Sequence, residues 1–270
     1  MRTVLTIAGS DCSGGAGIQA DLKTITAYGM YGMSVVTALT AQNTKGIYAV
    51  SETSEAMLRD QLEAVFTDIS PEAVKIGLLP SQRAVQVVSE VLGKYRPPFV
   101  VIDPVMQSTS GCRLMDEDGI AAAEADIFRQ AALFTPNIPE AAELLKKTGG
   151  PVPKSPADME YAALALSSRY KTAVLLKGGH KTGGADDCLA VRGKIHWFKG
   201  KRIVTHGSHG TGCTLSSAIA CGLATGRELE EAIWLAKRYL TKALQKAPGL
   251  GGGNGPLNHC FAIQEMGGIV

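Results

Sequence analysis

The sequence lacks the features that mark membrane and nucleic-acid-binding proteins. No stretch of its 270 residues approaches the roughly 18 consecutive apolar residues of a membrane-spanning helix. The net charge is only +2, and no block of Lys or Arg indicates a surface for nucleic acid or lipid. The first apolar run, residues 4–9, soon meets Asp11, so we expect a buried strand there and not a signal peptide. We therefore expect neither nucleic acid nor membrane among the partners.

The sequence also lacks paired cysteines. Its six cysteines form no Cys-x-x-Cys pair: Cys12, Cys112, Cys188, Cys213, Cys221 and Cys260. In a chain of this size, such spacing favours reduced thiols and a cytoplasmic location over a disulfide framework. His206, His209 and Cys213 match no standard zinc spacing, and no second cluster of ligands stands nearby in the sequence. We therefore expect no zinc site.

What the sequence does contain is a regular alternation of apolar, strand-like runs with helical patterns. Apolar residues make up 45% of the chain and charged residues 19%, which is ordinary for a globular protein. The predicted strands lie at 4–9, 33–43, 44–50, 73–79, 99–106, 132–137 and 172–179, followed by a hairpin around Gly193. The predicted helices lie within 14–29 and at 54–67, 138–147, 157–169, 212–225 and 229–246. This alternation predicts one α/β domain over residues 1–270 with a mostly parallel sheet.

Polar or glycine residues follow the predicted strands repeatedly. They are Gly9 to Asp11, Gln42 with Asn43, Asp103, Asn137, and Lys177 to Gly179. Open α/β sheets bind their ligands at the carboxyl ends of the strands. We therefore expect these residues to surround a binding site.

The first glycine turn, SDCSGGAGIQA, connects a predicted strand to a predicted helix. Gly15, Gly17 and Ala20 match the GxGxxA pattern of dinucleotide-binding proteins. That pattern also needs an acidic residue about 20 positions further on, but the next strand ends in TAQNT without one. A turn that only packs a helix on a strand stays open. The small residues and free N–H groups favour a loop that holds a polar substrate.

The second glycine turn, HGSHGTGCTLSS, runs directly into another helical pattern. The Walker pattern GxxxxGK[ST] is absent from the chain, so any phosphate site must be of another kind. Gly210, Thr211 and Gly212 offer backbone N–H groups at the positive end of the helix dipole, which suits a phosphoryl group. We expect the same partial charge to lower the pKa of the Cys213 thiol. Cys213 could then take a proton or attack as a nucleophile, while a small apolar cap residue is the alternative.

These segments together resemble the hydroxymethylpyrimidine and phosphomethylpyrimidine kinases of thiamin synthesis, members of the ribokinase-like superfamily. The resemblance covers nearly the whole chain, and the tail GNGPLNH is similar to the family's closing GP-x-H-H. The segments occur in the family's order: LTIAGSDCSGGAGIQADLKT, VTALTAQNT, KIGLL, VIDPVM, TPNIPEA, LLKGGH and HGTGCTLSSAIA.

The resemblance implies a fold and an activity. The fold is a central, mostly parallel sheet with helices on both faces and a small strand lid. The activity is transfer of a phosphoryl group from ATP, with Mg²⁺, to the hydroxymethyl group of 4-amino-5-hydroxymethyl-2-methylpyrimidine. A second transfer then converts the monophosphate to the diphosphate. The resemblance also implies a homodimer.

The resemblance further implies roles for individual residues. Cys213 stands where many ribokinase-like enzymes have a catalytic aspartate, so it becomes the expected base, next to Gly210, Thr211 and Gly212. Gln42 matches the glutamine that hydrogen-bonds the aminopyrimidine. The other expected contacts are Gly9, Asp11, Ala16 and Asp21 for the substrate, Lys177, Asn137, Asp103 and Asp187 for ATP, and Glu140 with Asn137 for Mg²⁺, directly or through water.

Two positions depart from the family's pattern, and three alternative functions remain. Thr109 stands where the family often has lysine, and Cys12 stands where it commonly has Pro or Ser. These two differences put the affinity for nucleotide and substrate in question.

A pyridoxal kinase is one alternative function, because such enzymes share the thiol turn, although the AQNT segment favours the pyrimidine. A non-catalytic pyrimidine sensor on the kinase scaffold is opposed by the intact residues of the expected site. A nicotinamide oxidoreductase is opposed by the missing acid after the second strand.

Overall fold

A nine-stranded sheet is the scaffold of the fold. The computed structural model describes residues 1–107, 111–146, 149–150, 152–179 and 184–265. The strands are β1 (Thr3–Asp11), β2 (Tyr31–Asn43), β3 (Gly46–Glu52), β4 (Ala73–Ile76), β5 (Phe99–Ile102), β6 (Leu133–Phe134), β7 (Ala173–Leu176), β8 (Asp187–Val191) and β9 (Lys194–Phe198). Their order across the sheet is β3-β2-β1-β4-β5-β6-β7-β8-β9.

The centre of the sheet is parallel and its edges are antiparallel. Strands β2, β1, β4, β5, β6 and β7 run in one direction. β3 pairs antiparallel with β2 at one edge, and β8 and β9 form an antiparallel hairpin at the other. The predicted mostly parallel α/β sheet is therefore confirmed.

The β2–β3 hairpin forms the lid of the fold. The pairing of β1 with β2 ends at Asp11 and Thr40, so the last residues of β2 pair with β3 alone. Residues 48–52 of β3 are exposed. The turn between the two strands, at Thr44 and Lys45, lies at the end of the sheet where the parallel strands finish.

Helices connect the strands and cover both faces of the sheet. They are α1 (Gly17–Ala27), α2 (Glu55–Asp68), α3 (Gln82–Tyr95), α4 (Glu117–Ala122), α5 (Ile138–Lys146), α6 (Pro156–Tyr170), α7 (Thr211–Ala224), α8 (Leu229–Gln245) and α9 (Phe261–Glu265). α4 continues as one π turn and one 3₁₀ turn to Gln130. Among the described residues, no helix is both long enough and apolar enough to cross a membrane.

Alternating strand residues build two cores. In β5, Val100 and Ile102 face the core beneath α2 to α6, while Val101 faces the core beneath α1, α7 and α8. A strand buried on both faces needs such a continuous apolar run. α7 fits against the sheet because its residues from Thr214 to Ala224 are all buried.

Candidate active site

A cleft of about 1270 Å³ opens at the carboxyl ends of the parallel strands. Each side chain expected there from the sequence lines it, except Asp21. Those lining it are Gly9, Asp11, Ala16, Gln42, Asp103, Asn137, Glu140, Lys177, Asp187, Gly210, Thr211, Gly212 and Cys213. They come from different segments of the chain that meet where the parallel strands end.

Asp11 fixes the first glycine loop. Its carboxylate accepts hydrogen bonds from the N–H groups of Ser13 (2.9 Å), Gly15 (3.1 Å) and Ala16 (2.8 Å), and from the Ser13 hydroxyl (2.7 Å). His209 Nε2, on the second glycine loop, lies 2.8 Å from the same carboxylate. Burial opposes ionisation, but these hydrogen bonds lower the pKa of Asp11 to about 2. Asp11 is therefore an anion that holds the two loops together.

The two glycine loops contact each other through their backbones. Gly210 has a φ of 87°, and a Cβ atom added there would lie 2.0 Å from the Gly15 carbonyl oxygen. A Cβ atom on Gly15 would in turn lie 2.4 Å from the His209 ring. Gly17 has a φ of 56° and lies against the Gly9 carbonyl. Glycine is required at Gly15, Gly17 and Gly210 because larger residues would push the loops apart.

The start of α7 forms a small hollow lined by backbone N–H groups. Gly210 caps the helix without a side-chain hydrogen bond, so no cap side chain occupies the first helical N–H groups. A Cβ atom on Gly212 would lie 2.9 Å from Asp103 Oδ2 and 3.4 Å from Lys177 Nζ. Both side chains therefore lean over the helix start. A helix N-terminus next to a lysine is suited to an anion.

The Cys213 thiol borders this hollow, but its pKa contradicts our expectation. Burial raises the pKa of the thiol to about 11; the nearby Lys75 ammonium and the Gly17 N–H lower it, whereas Asp21 and Asp103 raise it. The expectation of a thiolate near neutral pH is therefore wrong, because burial raises the pKa of the thiol more than the Lys75 ammonium and the Gly17 N–H lower it. At pH 7 the thiol carries its proton.

Asp21 lies beneath the cleft and not in it. Its fully buried carboxylate accepts hydrogen bonds from Thr6 Oγ1 (2.6 Å), Ser217 Oγ (2.7 Å) and Lys75 Nζ (2.8 Å). Burial disfavours the Lys75 ammonium, but Asp21 above all raises its pKa. The expected contact of Asp21 with substrate is wrong for this arrangement. The side chain instead ties α1 and β4 to α7, one turn after Cys213.

Gln42 is held through both its side chain and its backbone. Its Oε1 accepts a hydrogen bond from Thr40 Oγ1 (2.9 Å), and its Nε2 lies 3.2 Å from His209 Nε2. The Cys12 thiol donates to the Gln42 carbonyl (3.2 Å) and accepts from its N–H (3.4 Å). The unusual Cys12 therefore supports Gln42. Thr109 lies outside the described residues.

Two buried carboxylates and one ammonium face each other across the strand ends. Lys177 Nζ lies 2.5 Å from Asp103 Oδ1. Burial raises the pKa of Glu140 to about 7; Lys177 lowers it, and Asp103 raises it. Asn137 and Glu140 also form a reciprocal cap, because Glu140 Oε2 accepts from the Asn137 N–H (2.7 Å) and Asn137 Oδ1 from the Glu140 N–H (2.9 Å). Both side chains therefore also begin α5.

Asp187 lies at the far end of the cleft in a buried ion pair. Its carboxylate contacts Lys237 Nζ and accepts a hydrogen bond from the Gly178 N–H (2.9 Å). Burial raises the pKa of Asp187, and Lys237 lowers it. These contacts connect α8 to the loop that follows β7.

The family model for phosphomethylpyrimidine kinase matches residues 11–258. The chain belongs to this family. Relatives support the assignment. A hydroxymethylpyrimidine/phosphomethylpyrimidine kinase of Streptomyces coelicolor is 43% identical over 97% of this chain and 96% of its own length. A bifunctional thiamine biosynthesis protein of Geobacter sulfurreducens is 46% identical over 98% of this chain. The chain spans only 53% of that protein's length.

Solved structures of family members and related kinases share the fold. The crystal structure of phosphomethylpyrimidine kinase from Clostridium difficile matches with a TM-score of 0.80 at 44% identity, covering 90% of this chain and 99% of that one. The ADP complex of Bacillus subtilis pyridoxal kinase matches with a TM-score of 0.88 at 32% identity, covering 98% and 99%. The ribokinase-like fold expected from the sequence is therefore confirmed.

Three residues in or beneath this cleft were not expected there from the sequence. Lys75 interrupts an apolar strand, AVKI, and a lysine there signals a buried partner. The sequence places His209 in the second glycine turn but gives no sign of its contacts with Asp11 and Gln42. Asn254, in the glycine-rich tail, also lines the cleft. The signal for it is the run of glycines, which permits close approach of backbones.

Proposed function

We propose that the protein transfers the γ-phosphoryl group of ATP to the hydroxymethyl group of 4-amino-5-hydroxymethyl-2-methylpyrimidine, and then phosphorylates the monophosphate, in thiamin biosynthesis. One observation carries this proposal. In a member of this kinase family, a hollow of N–H groups at Gly210 to Cys213 and the side-chain amide of Gln42 line the same cleft. The test is incubation with ATP and the pyrimidine alcohol. The product mass then counts one or two added phosphates.

The pyrimidine is proposed to bind between Gln42 and the first glycine loop. A ring nitrogen next to an amino group needs one donor and one acceptor, and the primary amide of Gln42 has both. Gly9, Asp11 and Ala16 form the opposing wall. Because Asp11 already binds the loop's own N–H groups, it holds that wall rigid. Rigid walls orient the hydroxymethyl group toward α7.

The phosphoryl group is proposed to lie in the hollow at Gly210, Thr211 and Gly212. Phosphoryl transfer depends mainly on alignment and on stabilisation of charge, which convergent N–H groups supply. The Cys213 sulfur borders this hollow and is assigned to take the proton of the attacking hydroxyl. This step requires the thiolate, which the charge of Lys75 favours and burial opposes.

The triphosphate of ATP is proposed to extend over Lys177 and Asp103 toward Asp187. Lys177 is a compact positive charge near the helix start, and burial of its ammonium is offset by Asp103 and Glu140, which raise its pKa. The ADP complex of the Bacillus subtilis pyridoxal kinase supports nucleotide binding by this fold. Asp187 holds Lys237 at the opposite end.

The acidic side chains near Lys177 fit Mg²⁺. Two buried carboxylates, Asp103 and Glu140, face a single ammonium, which leaves a surplus of negative charge. This suits Mg²⁺, which takes one or two carboxylates together with waters and substrate phosphates. Glu140 and Asn137 would hold the ion, which would neutralise phosphate charge.

A pyridoxal kinase is the second candidate function. The likeness to the Bacillus subtilis pyridoxal kinase, with a TM-score of 0.88, favours it. The lower identity of 32%, against 43% to the Streptomyces coelicolor kinase, favours the pyrimidine. Turnover of pyridoxal and of the pyrimidine alcohol, measured side by side, decides between them. Tight ligand binding without any ATP turnover would instead support a sensor.

A cytoplasmic homodimer is proposed for the assembly. The edge strand β3 exposes Tyr48 (68%) and Val50 (46%), and Leu39 beside it on β2 is 58% exposed. An uncovered apolar edge strand is suited to pairing with a second copy. Cys12, Cys188, Cys213, Cys221 and Cys260 form no disulfide in the part of the chain that the structure describes, which is typical of a reducing compartment. Mass measurement in solution tests the dimer, and cell fractionation tests the location.

A further inference from the structure

The glycine-rich tail after α8 contacts the lid turn. The N–H of Gly253 donates to Thr44 Oγ1 (3.2 Å), and the N–H of Asn254 donates to the Thr44 carbonyl (2.8 Å). A Cβ atom on Gly253 would lie 2.1 Å from that carbonyl oxygen, so glycine is needed for this approach. Thr44 stands two residues after Gln42. The tail therefore holds the end of the lid that carries the proposed pyrimidine contact.

The same tail segment contacts the loop that leads into the phosphoryl hollow. Asn254 Oδ1 accepts hydrogen bonds from the Ser208 N–H (3.0 Å) and from the Ser208 hydroxyl (2.9 Å). The Gly255 carbonyl accepts from the His209 N–H (3.0 Å), one residue before Gly210. Asn254 thus binds the lid through its backbone and the phosphoryl loop through its side chain.

The tail is anchored behind this contact. Leu257 and Phe261 pack with Ala243 of α8 in a small separate core. His259 Nε2 lies 2.9 Å from Thr214 Oγ1, directly after Cys213. Because its far end is fixed to α8 and α7, the tail can hold the two loops at a set distance. A tail without such contacts would move together with the loops and could not set their distance.

We propose that Asn254 is a positioning residue, whose Oδ1 atom sets the separation between the Gln42 end of the lid and the phosphoryl loop. The inference rests on the proposed function, because these two loops carry the ring and the transferred group. The Gln42 to His209 contact of 3.2 Å spans the same gap. Loss of the Oδ1 atom lets Ser208 move away, which misaligns the alcohol with the phosphoryl group. Misplacement by about 1 Å is enough to lower turnover strongly.

The test compares Asn254→Ala with Asn254→Asp. Asn254→Ala removes the acceptor, and we expect kcat for the pyrimidine alcohol to fall by about tenfold or more, with the KM for ATP within about twofold of the parent. Asn254→Asp keeps an oxygen at the Oδ1 position and should return kcat to within about threefold. Asn258→Ala is the matched control, since Asn258 Oδ1 accepts from the Cys260 N–H in the same tail.

Hydrogen exchange gives a second readout that needs no substrate. In Asn254→Ala the amides of residues 206–209 should exchange faster than in the parent, and in Asn254→Asp they should not. Equal kcat and equal exchange in Asn254→Ala and the parent would overturn the inference. If Asn254→Ala does not fold, Asn254→Leu removes the Oδ1 acceptor with a side chain of similar size, and unchanged kcat and exchange in that variant would overturn the inference instead. Failure of the parent to phosphorylate the pyrimidine would overturn the proposed function, and the exchange measurement would still decide the role of Asn254.

Discussion

Replacement of Cys213 by alanine should separate chemistry from binding. If the sulfur takes the proton of the attacking hydroxyl, Cys213→Ala should lower kcat for the pyrimidine alcohol by roughly 10²- to 10⁴-fold, the usual contribution of a general base. The KM for ATP should stay nearly constant, because the phosphoryl hollow is built from backbone N–H groups. Cys221→Ala is the matched control, since Cys221 is a fully buried thiol later in the same helix.

The raised pKa of Cys213 adds a pH dependence to this prediction. A thiol with a pKa of about 11 is the active thiolate in only about one molecule in 10⁴ at pH 7. Because the deprotonated form is the active one, turnover should rise about tenfold per pH unit from about pH 8 to about pH 10. Cys213→Ala should show no such slope, and Cys221→Ala should keep it.

The assay is a stopped-time measurement of phosphorylated pyrimidine by mass, which avoids coupling enzymes that fail at high pH. A flat profile for the parent would remove Cys213 from the role of base. So would turnover of Cys213→Ala within about threefold of the parent. In either case the thiol would be left as a packing residue at the helix start.

Three further predictions follow from the buried charges and the glycine loops. Burial raises the pKa of Glu140 to about 7, so the carboxyl becomes charged as the pH rises through that value. The KM for ATP with Mg²⁺ should therefore fall from pH 6 to pH 8. The variant Glu140→Gln should not show this pH dependence. Lys75→Met leaves the Asp21 charge buried alone and should lower the free energy of unfolding in urea by about 3–5 kcal/mol, and adding Asp21→Asn should recover part of the loss. Gly210→Ala should lower turnover about 100-fold or more, because the added Cβ atom would push against the first glycine loop. Gly226 also has a positive φ of 79°, but no atom lies near the place of its Cβ atom. Gly226→Ala should therefore lower the free energy of unfolding by only about 1 kcal/mol and leave turnover unchanged.

The strand ends could be predicted from the sequence because the signal is local. Short β-branched runs followed by Asp103, Asn137 or Lys177 indicate parallel strands whose carboxyl ends meet. The structure places these three residues around one cleft. The resemblance to the kinase family contributed their expected roles, which composition and spacing alone do not contain.

One long helix, α3, is absent from the helices predicted above although the sequence contains its signal. Ser81 caps α3, because its hydroxyl oxygen accepts a hydrogen bond from the Ala84 N–H (3.3 Å), and the helix buries Val85, Val88 and Leu92 at helical spacing. This apolar spacing and its cap can be read in the sequence itself, so the helix is within reach of prediction from local pattern. Strands β4 to β7 also came out shorter than their apolar runs, because the residues after each strand turn into the cleft.

The state of Cys213 and the place of Asp21 could not be predicted from local sequence. The helix dipole argument for a low thiol pKa is correct for an exposed helix start. It fails here because burial, which depends on the packing of α1 and β4 against α7, raises the pKa of the thiol. Asp21 similarly looks like an accessible acid on an amphipathic helix, until Lys75 reaches it from a strand 54 positions away.

Asp11 links the two glycine loops through one carboxylate, so the loops can move only together. Its carboxylate binds Gly15 and Ala16 on one loop and His209 on the other. An insertion or deletion in either loop would break contacts in both, so neither can be remodelled alone. A change in the length of the hairpin around Thr44 would in turn break the contacts of Thr44 with Gly253 and Asn254, so the two glycine loops, the hairpin and the tail must vary together.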